Sequence, residues 1–247
     1  MWLVPGVLAA AIPVFAQRAP TPESVGLPPE VLSLACAPNL TFEAPPTPLR
    51  ITGSQNATVR QNFGPGDLIT INAGTDNGIE VGQVYYTRRV VPREKRRVGR
   101  DNPAVIQTSG WIRIYAVDNT MSLATISYPC DAIHVGDFLE PFVPPTVPTI
   151  SEDRPVAQRG NYGRVMVGND NRQSFGRGDY FVVDRGSDHG VARGAQFVVY
   201  RDHLTPGNFL FELGEAVAVD VRPESSTLQA TLTRDAFLIG DYVALRK

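Results

Sequence analysis

The sequence predicts an all-β protein that contains two tandem copies of one small barrel or sandwich, each with five to six strands. Three features support this prediction: an internal repeat, short runs of β-branched and aromatic residues, and glycine-rich turns between these runs. The chain holds 22 Gly and 21 Pro in many short clusters, which favours many short strands over long helices.

The internal repeat shows two constant offsets. Two segments recur 112 positions later, namely 63–67 at 175–179 and 73–82 at 185–194. Three further matches share an offset of 104, namely Gly110 with Gly214, Asp131 with Asp235, and Gly136 with Gly240. Two constant offsets indicate one duplicated unit whose copies differ by eight residues in a single loop.

The N-terminal segment, residues 1–16, is almost wholly apolar and ends in Val14-Phe15-Ala16, a small-residue pattern that precedes a signal-peptidase cut. We predict a signal peptide there, and hence export. The segment lacks the usual basic start, so a mis-assigned start codon and a segment that is not a signal are alternatives. A retained membrane anchor is a further alternative. A sixteen-residue helix at about 1.5 Å per residue is, however, shorter than the roughly 30 Å hydrocarbon core.

Proline content divides the rest of the chain. Residues 17–48 and 143–159 are rich in Pro and lack an apolar period, so each is predicted to be an extended linker. The repeat units are then residues 49–142 and 160–247.

The two cysteines, Cys36 and Cys130, can form only one disulfide in an exported chain. Such a bond would tie the Pro-rich linker to the first repeat unit. Two unrelated thiols are the alternative.

Charge and motifs restrict the function. A formal net charge of −2 does not favour nucleic acid as a partner. The sequence has no Gly-x-Ser-x-Gly elbow, no His-Glu-x-x-His helix and no phosphate-binding glycine loop. We therefore expect a protein that is not an enzyme and has no catalytic residues, cofactor or metal.

The side chains that most resemble a metal or catalytic site lie in the turn of the second repeat. Asp184 and Asp188 flank glycines and vaguely resemble a calcium loop, but the closing Glu is missing. His189 corresponds to Asn77 in the first repeat, and both residue types tolerate a left-handed turn conformation. A structural turn therefore explains both copies better than metal binding or catalysis.

The loop in which the copies differ in length carries seven cations within residues 88–100. Such a loop can attract phosphate groups, an anionic glycan or an acidic partner. A solvated hairpin tip is the alternative. The best candidate binding residues are Arg93, Lys95, Arg96 and Arg97.

Residues 178–194, followed by Leu213-Gly214-Glu215 and Ile239-Gly240-Asp241, carry a resemblance to a known repeat. They resemble the β repeat that accompanies LysM modules in bacterial envelope proteins. Similar repeats occur in the β domains of rod-shape-determining protein C and in flagellar ring-assembly proteins.

The resemblance implies a periplasmic or outer-envelope location and a scaffold or adaptor role, with an envelope protein or a cell-wall polymer as partner. The chain would be peripheral to the membrane at most, and could belong to a larger assembly. A module that binds peptidoglycan or anionic glycan is the alternative function. No LysM module is recognisable in the chain, so peptidoglycan binding does not follow from the resemblance itself.

Overall fold

The fold is mostly β, because 54% of the residues that the structure describes lie in strands and one α-helix is found among them, so the all-β class is confirmed. The computed structural model describes residues 26–43, 45–46, 48–54, 60–92, 103–149, 157–168, 172–202 and 209–246, excluding the side chains of 157–159. The predicted signal peptide lies outside these residues. Among them, no helix has the length and apolar character that a membrane span requires.

The first sheet has seven strands in the order β2-β4-β7-β6-β5-β9, with β1 paired to β6, while β3 and β8 form a separate pair. The strands of this sheet and of the β3–β8 pair are β1 (Asn39–Thr41), β2 (Ile51–Ser54), β3 (Asn62–Phe63), β4 (Leu68–Ile71), β5 (Val84–Pro92), β6 (Ala104–Val117), β7 (Ser122–Pro129), β8 (Ile133–His134) and β9 (Phe138–Pro141). Hydrogen bonds join its two edges, since Leu139 N donates to Leu49 O at 3.0 Å and Ile51 N to Asp137 O at 3.0 Å.

The second sheet is a closed six-stranded barrel in the order β10-β12-β15-β14-β13-β17, and β11 pairs with β16. The strands of the barrel and of the β11–β16 pair are β10 (Ala157–Gly168), β11 (Ser174–Phe175), β12 (Tyr180–Val183), β13 (Gln196–Asp202), β14 (Leu210–Val221), β15 (Ser226–Thr233), β16 (Phe237–Leu238) and β17 (Tyr242–Arg246). β17 pairs with both β13 and β10, which closes the barrel.

The two sheets share one strand order. Each strand of the barrel carries a number eight higher than the strand in the same place of the first sheet. A 3-10 turn follows β4 at Thr75–Asn77, and another follows β12 at Ser187–His189. Each sheet encloses its own core, built around Ile69 and Ile112 in the first and around Phe181 and Phe197 in the barrel.

The N-terminal arm, residues 26–43, is folded and packed, so the prediction of an extended linker over 17–48 is wrong in this part. Helix α1 (Pro29–Ala35) starts with proline, which is well suited to a first helical position because it has no N–H to satisfy. Leu34 and Ala37 pack on Tyr180, Val217 and Val219 of the barrel. Likewise, β10 starts at Ala157, inside the second predicted linker, 143–159.

The arm bridges the two sheets. β1 pairs antiparallel with Ala104–Ile106 of β6, and Leu40 lies in one cluster with Val105, Val167 and Val182. Thr227 Oγ1 of the barrel donates to Pro38 O at 2.9 Å. The sheets are therefore joined through a shared apolar contact as well as through the chain.

Gly74 opens the first 3-10 turn where there is no space for a side chain. A Cβ there would lie 2.0 Å from Asp118 O. We expect Gly74→Ala to lower the free energy of unfolding by about 1–3 kcal/mol, because the backbone must shift. Gly64→Ala is the control, since nothing lies within 4 Å of that Cβ. Equal urea midpoints for the two variants would contradict this account.

Candidate binding cleft between the two sheets

A cleft of about 390 Å³ lies where the first sheet, the arm, the segment after β9 and the barrel meet. Five charged side chains line it: Arg88, Glu140, Arg193, Asp220 and Arg222. The cleft belongs to neither sheet alone, because its lining combines residues from both.

On the side of the first sheet, Arg88 of β5 forms an ion pair with Glu140 of β9. The guanidinium carbon of Arg88 lies 4.4 Å from the ring centre of Tyr86, close enough for a cation–π contact. Burial lowers the pKa of Arg88, and Glu140 opposes that shift. Arg88 Nε is buried and has no hydrogen-bond partner among the described residues.

Tyr86 holds the segment that follows β9. Its hydroxyl donates to Val143 O at 3.1 Å, and burial raises the pKa of this phenol. The ring is packed against Phe142 and Trp111, so it is not available for stacking on a ligand.

On the barrel side, Asp220 of β14 lies between two arginines. Arg193 Nη2 is 3.4 Å from Asp220 Oδ1, and Arg222 Nε is 3.6 Å from Oδ2. Arg193 also donates to Thr146 O at 3.2 Å. These contacts hold the linking segment against the barrel.

The electrostatics of the cleft suit an anionic group. Three arginines face two carboxylates, which leaves one excess positive charge. Neither histidine nor cysteine lines the cleft. Within the described ranges, no group of three or more His, Cys, Asp or Glu side chains is placed to hold a metal.

The predicted basic-loop residues Arg93, Lys95, Arg96 and Arg97 lie outside the residues that the structure describes. Two of the seven cations within residues 88–100, Arg88 and Arg89, lie in strand β5, because this strand extends to Pro92. Each of the two has an acidic partner. Arg88 pairs with Glu140, and Arg89 Nε donates to the buried Asp137 Oδ1 at 2.8 Å. These two arginines are therefore part of the sheet and not of a hairpin tip.

The turn residues complete backbone hydrogen bonds. Asp184 Oδ1 accepts from Arg164 N at 2.7 Å, as Asn72 Oδ1 accepts from Arg50 N at 2.7 Å. His189 Nδ1 accepts from Gly186 N at 3.3 Å.

Asn77 and His189 do lie in turns, but the left-handed conformation that both residue types tolerate belongs to the residues that follow them. Both residues lie in 3-10 turns, and the following Gly78 and Gly190 take that conformation, with φ of 75° and 79°.

The predicted disulfide is confirmed, since Cys36 and Cys130 are bonded with their Cα atoms 5.5 Å apart. The bond joins the end of α1 to the end of β7 in a cluster that contains Trp111 and Tyr128. Their rings stack at 4.6 Å. The arm is thus covalently fixed to the first sheet where it also contacts the barrel.

Sequence reasoning missed the cleft. A signal was present in the differences between the repeats, because Arg193 and Asp220 stand where the first repeat has Val81 and Ala116. Charges gained at two positions of one copy indicate a surface that the other copy does not share.

No protein-family model matches the chain, and no curated protein matches it in sequence. The fold and the cleft therefore define its class only as an all-β protein with a closed barrel, a second sheet and a disulfide-linked arm.

Proposed function

We propose that the chain is a non-catalytic scaffold or adaptor protein of the bacterial periplasm or outer envelope. The observation that carries this proposal is the junction of the arm with both sheets. One disulfide and the β1–β6 pairing fix the arm to the first sheet, and two apolar clusters pack the arm against the barrel. Such a junction holds the loops of both sheets in a fixed relation, as a scaffold requires.

Three features support the location, and two others support the origin. The signal-like segment and the envelope-type repeat argue for export, and a disulfide is stable in an oxidising compartment. The common strand order and the constant offsets support an origin by duplication of one unit. The hydrogen bonds of Asp184 and His189 support a non-catalytic role, because both side chains accept hydrogen bonds from backbone N–H groups at the turn.

The scaffold role is tested in cells of the native host. A photo-crosslinking residue replaces Arg96, and a second one replaces Arg177, an exposed control position on the barrel. We expect the protein in the envelope fraction and one discrete crosslinked species from position 96. A protein that stays in the cytoplasm, or crosslinks that are identical at both positions, would contradict the proposal.

The second candidate function is binding of an anionic glycan or peptide, which the three arginines of the cleft favour. Sugar stacking is not favoured, because Tyr86, the aromatic residue in the cleft lining, is buried. An ionic site predicts binding that weakens as salt rises.

Co-sedimentation with isolated cell-wall sacculi distinguishes the two possible anion sites. If the loop binds, changing Arg93, Lys95, Arg96 and Arg97 to Ser should abolish salt-sensitive pelleting. If the cleft binds, Arg222→Ser alone should abolish salt-sensitive pelleting. The control removes the same charge elsewhere, through Ser at Arg60, Arg113, Arg177 and Arg234. Pelleting that all variants share, or that none shows, would reject both sites.

A further inference from the structure

The hairpin of β5 and β6 projects beyond its own sheet and contacts the barrel. Val105, near the outer end of β6, is only 8% exposed because it packs with Leu40, Val167 and Val182. β1 pairs with the same end of β6. This contact is an interface between one sheet and the next within the chain.

The barrel has a hairpin of the same register. Arg89 pairs with Gln107 in the first sheet, and Arg201 pairs with Phe211 at the corresponding place in the barrel. Phe209 therefore occupies the position of Val105. Phe209 is 64% exposed. In the first sheet, β1 pairs with the outer end of β6. Among the described residues, no third strand pairs with the corresponding end of β14, at Leu210.

The receiving face recurs as well. On the barrel, Val182, Val219 and Thr227 are buried beneath the arm and the hairpin. The corresponding positions of the first sheet, by the same two offsets, are Thr70, Tyr115 and Leu123.

This corresponding face of the first sheet is open. Tyr115 is 42% exposed and the adjacent Met121 49%. A shallow recess of about 210 Å³ lies here, and Thr70, Val117, Met121 and Leu123 are among its lining.

We propose that Phe209 of one copy docks into this recess on the first sheet of a second copy. Both surfaces are exposed in the same chain, so the contact is not made within one molecule. The occupant is a second copy because the recess corresponds to the face that already receives the arm and the outer end of such a hairpin inside the chain. A contact between two different surfaces is heterologous, and it builds a closed ring or an open filament.

Sedimentation velocity of the purified protein over a concentration series tests this assembly. We expect the wild type to form species larger than a monomer. Phe209→Asp and Met121→Asp should each weaken self-association by about 30-fold or more, as loss of a central apolar anchor does. Both positions are exposed, so the circular-dichroism melting curve should not change. Val135→Asp, which changes an exposed valine at a different turn, is the control.

The two variants also test the direction of the contact. Phe209→Asp keeps an intact recess, and Met121→Asp keeps an intact Phe209. Mixed in equal amounts, they should form a one-to-one dimer that grows no further. A monomeric wild type, a Phe209→Asp protein that assembles like the wild type, or a mixture that stays monomeric would overturn the proposal.

Discussion

Asp241→Ala is expected to lower the free energy of unfolding by about 3–5 kcal/mol, because it leaves a partly buried guanidinium without its carboxylate. Arg201 donates to Asp241 through Nε at 2.9 Å and through Nη2 at 2.7 Å. The hydrogen bond from Arg201 to Asp241 is the main reason why the pKa of this arginine is raised. Asp241 also accepts from Leu238 N at 2.7 Å, so its loss removes a turn contact as well.

Asp235→Asn provides the control for this prediction. Asp235 also pairs with Arg201, at 3.3 Å, but its side chain is 63% exposed. Exposed pairs contribute about 0–1 kcal/mol, so this variant should unfold near the wild-type urea midpoint. Equal losses in the two variants would show that burial of Asp241 does not decide the effect. The same Arg–Asp pair recurs in the first sheet as Arg89 and Asp137, where Asp137→Ala should behave like Asp241→Ala.

Changing both Cys36 and Cys130 to Ser is expected to lower the free energy of unfolding by about 4.7 kcal/mol by the loop-entropy relation. The residues are 94 positions apart, so the bond closes a long loop in the unfolded chain. Urea unfolding of wild type and variant measures the difference.

A reductant provides an internal control for the disulfide. It should bring the wild-type midpoint down to that of the double Ser variant and leave the variant unchanged. A wild-type midpoint that does not move on complete reduction would contradict the predicted contribution of the bond.

The glycine positions were the most predictable part of the fold, because their geometry requires glycine. Gly78 and Gly190 end the two 3-10 turns with φ of 75° and 79°. Gly110 and Gly214 lie inside β6 and β14, where a Cβ would lie 2.2 Å from Tyr128 O and 2.0 Å from Leu232 O respectively. The short β-branched and aromatic runs that predict an all-β fold include Leu68–Ile71 and Tyr180–Val183, which form β4 and β12.

The arm could not be predicted in the same way, since its structure depends on surfaces far away in the sequence. The many prolines of residues 17–48 indicate extended chain, but Leu34 and Leu40 are buried by barrel residues more than 100 positions later. Packing of the arm also changes the burial pattern of β12. All four of its residues are buried, because the arm covers Tyr180 and Val182 on the outer face.

The cleft was missed for a related reason. Arg88 and Glu140 meet through the pairing of β5 with β9, and their charges face Asp220 across the junction of the two sheets. No local pattern places these residues together. The sequence alone indicates the basic loop as a binding site, because its charges are close together along the chain.

Docking of the arm joins the two sheets into one unit. Hydrogen–deuterium exchange of the purified protein, followed by mass spectrometry, tests it most directly. If the arm is docked, peptides covering residues 29–41 should exchange as slowly as the barrel strands, because β1 is paired with β6 and α1 is covered by the barrel. Complete exchange of these peptides within seconds, as in an extended linker, would contradict the claim.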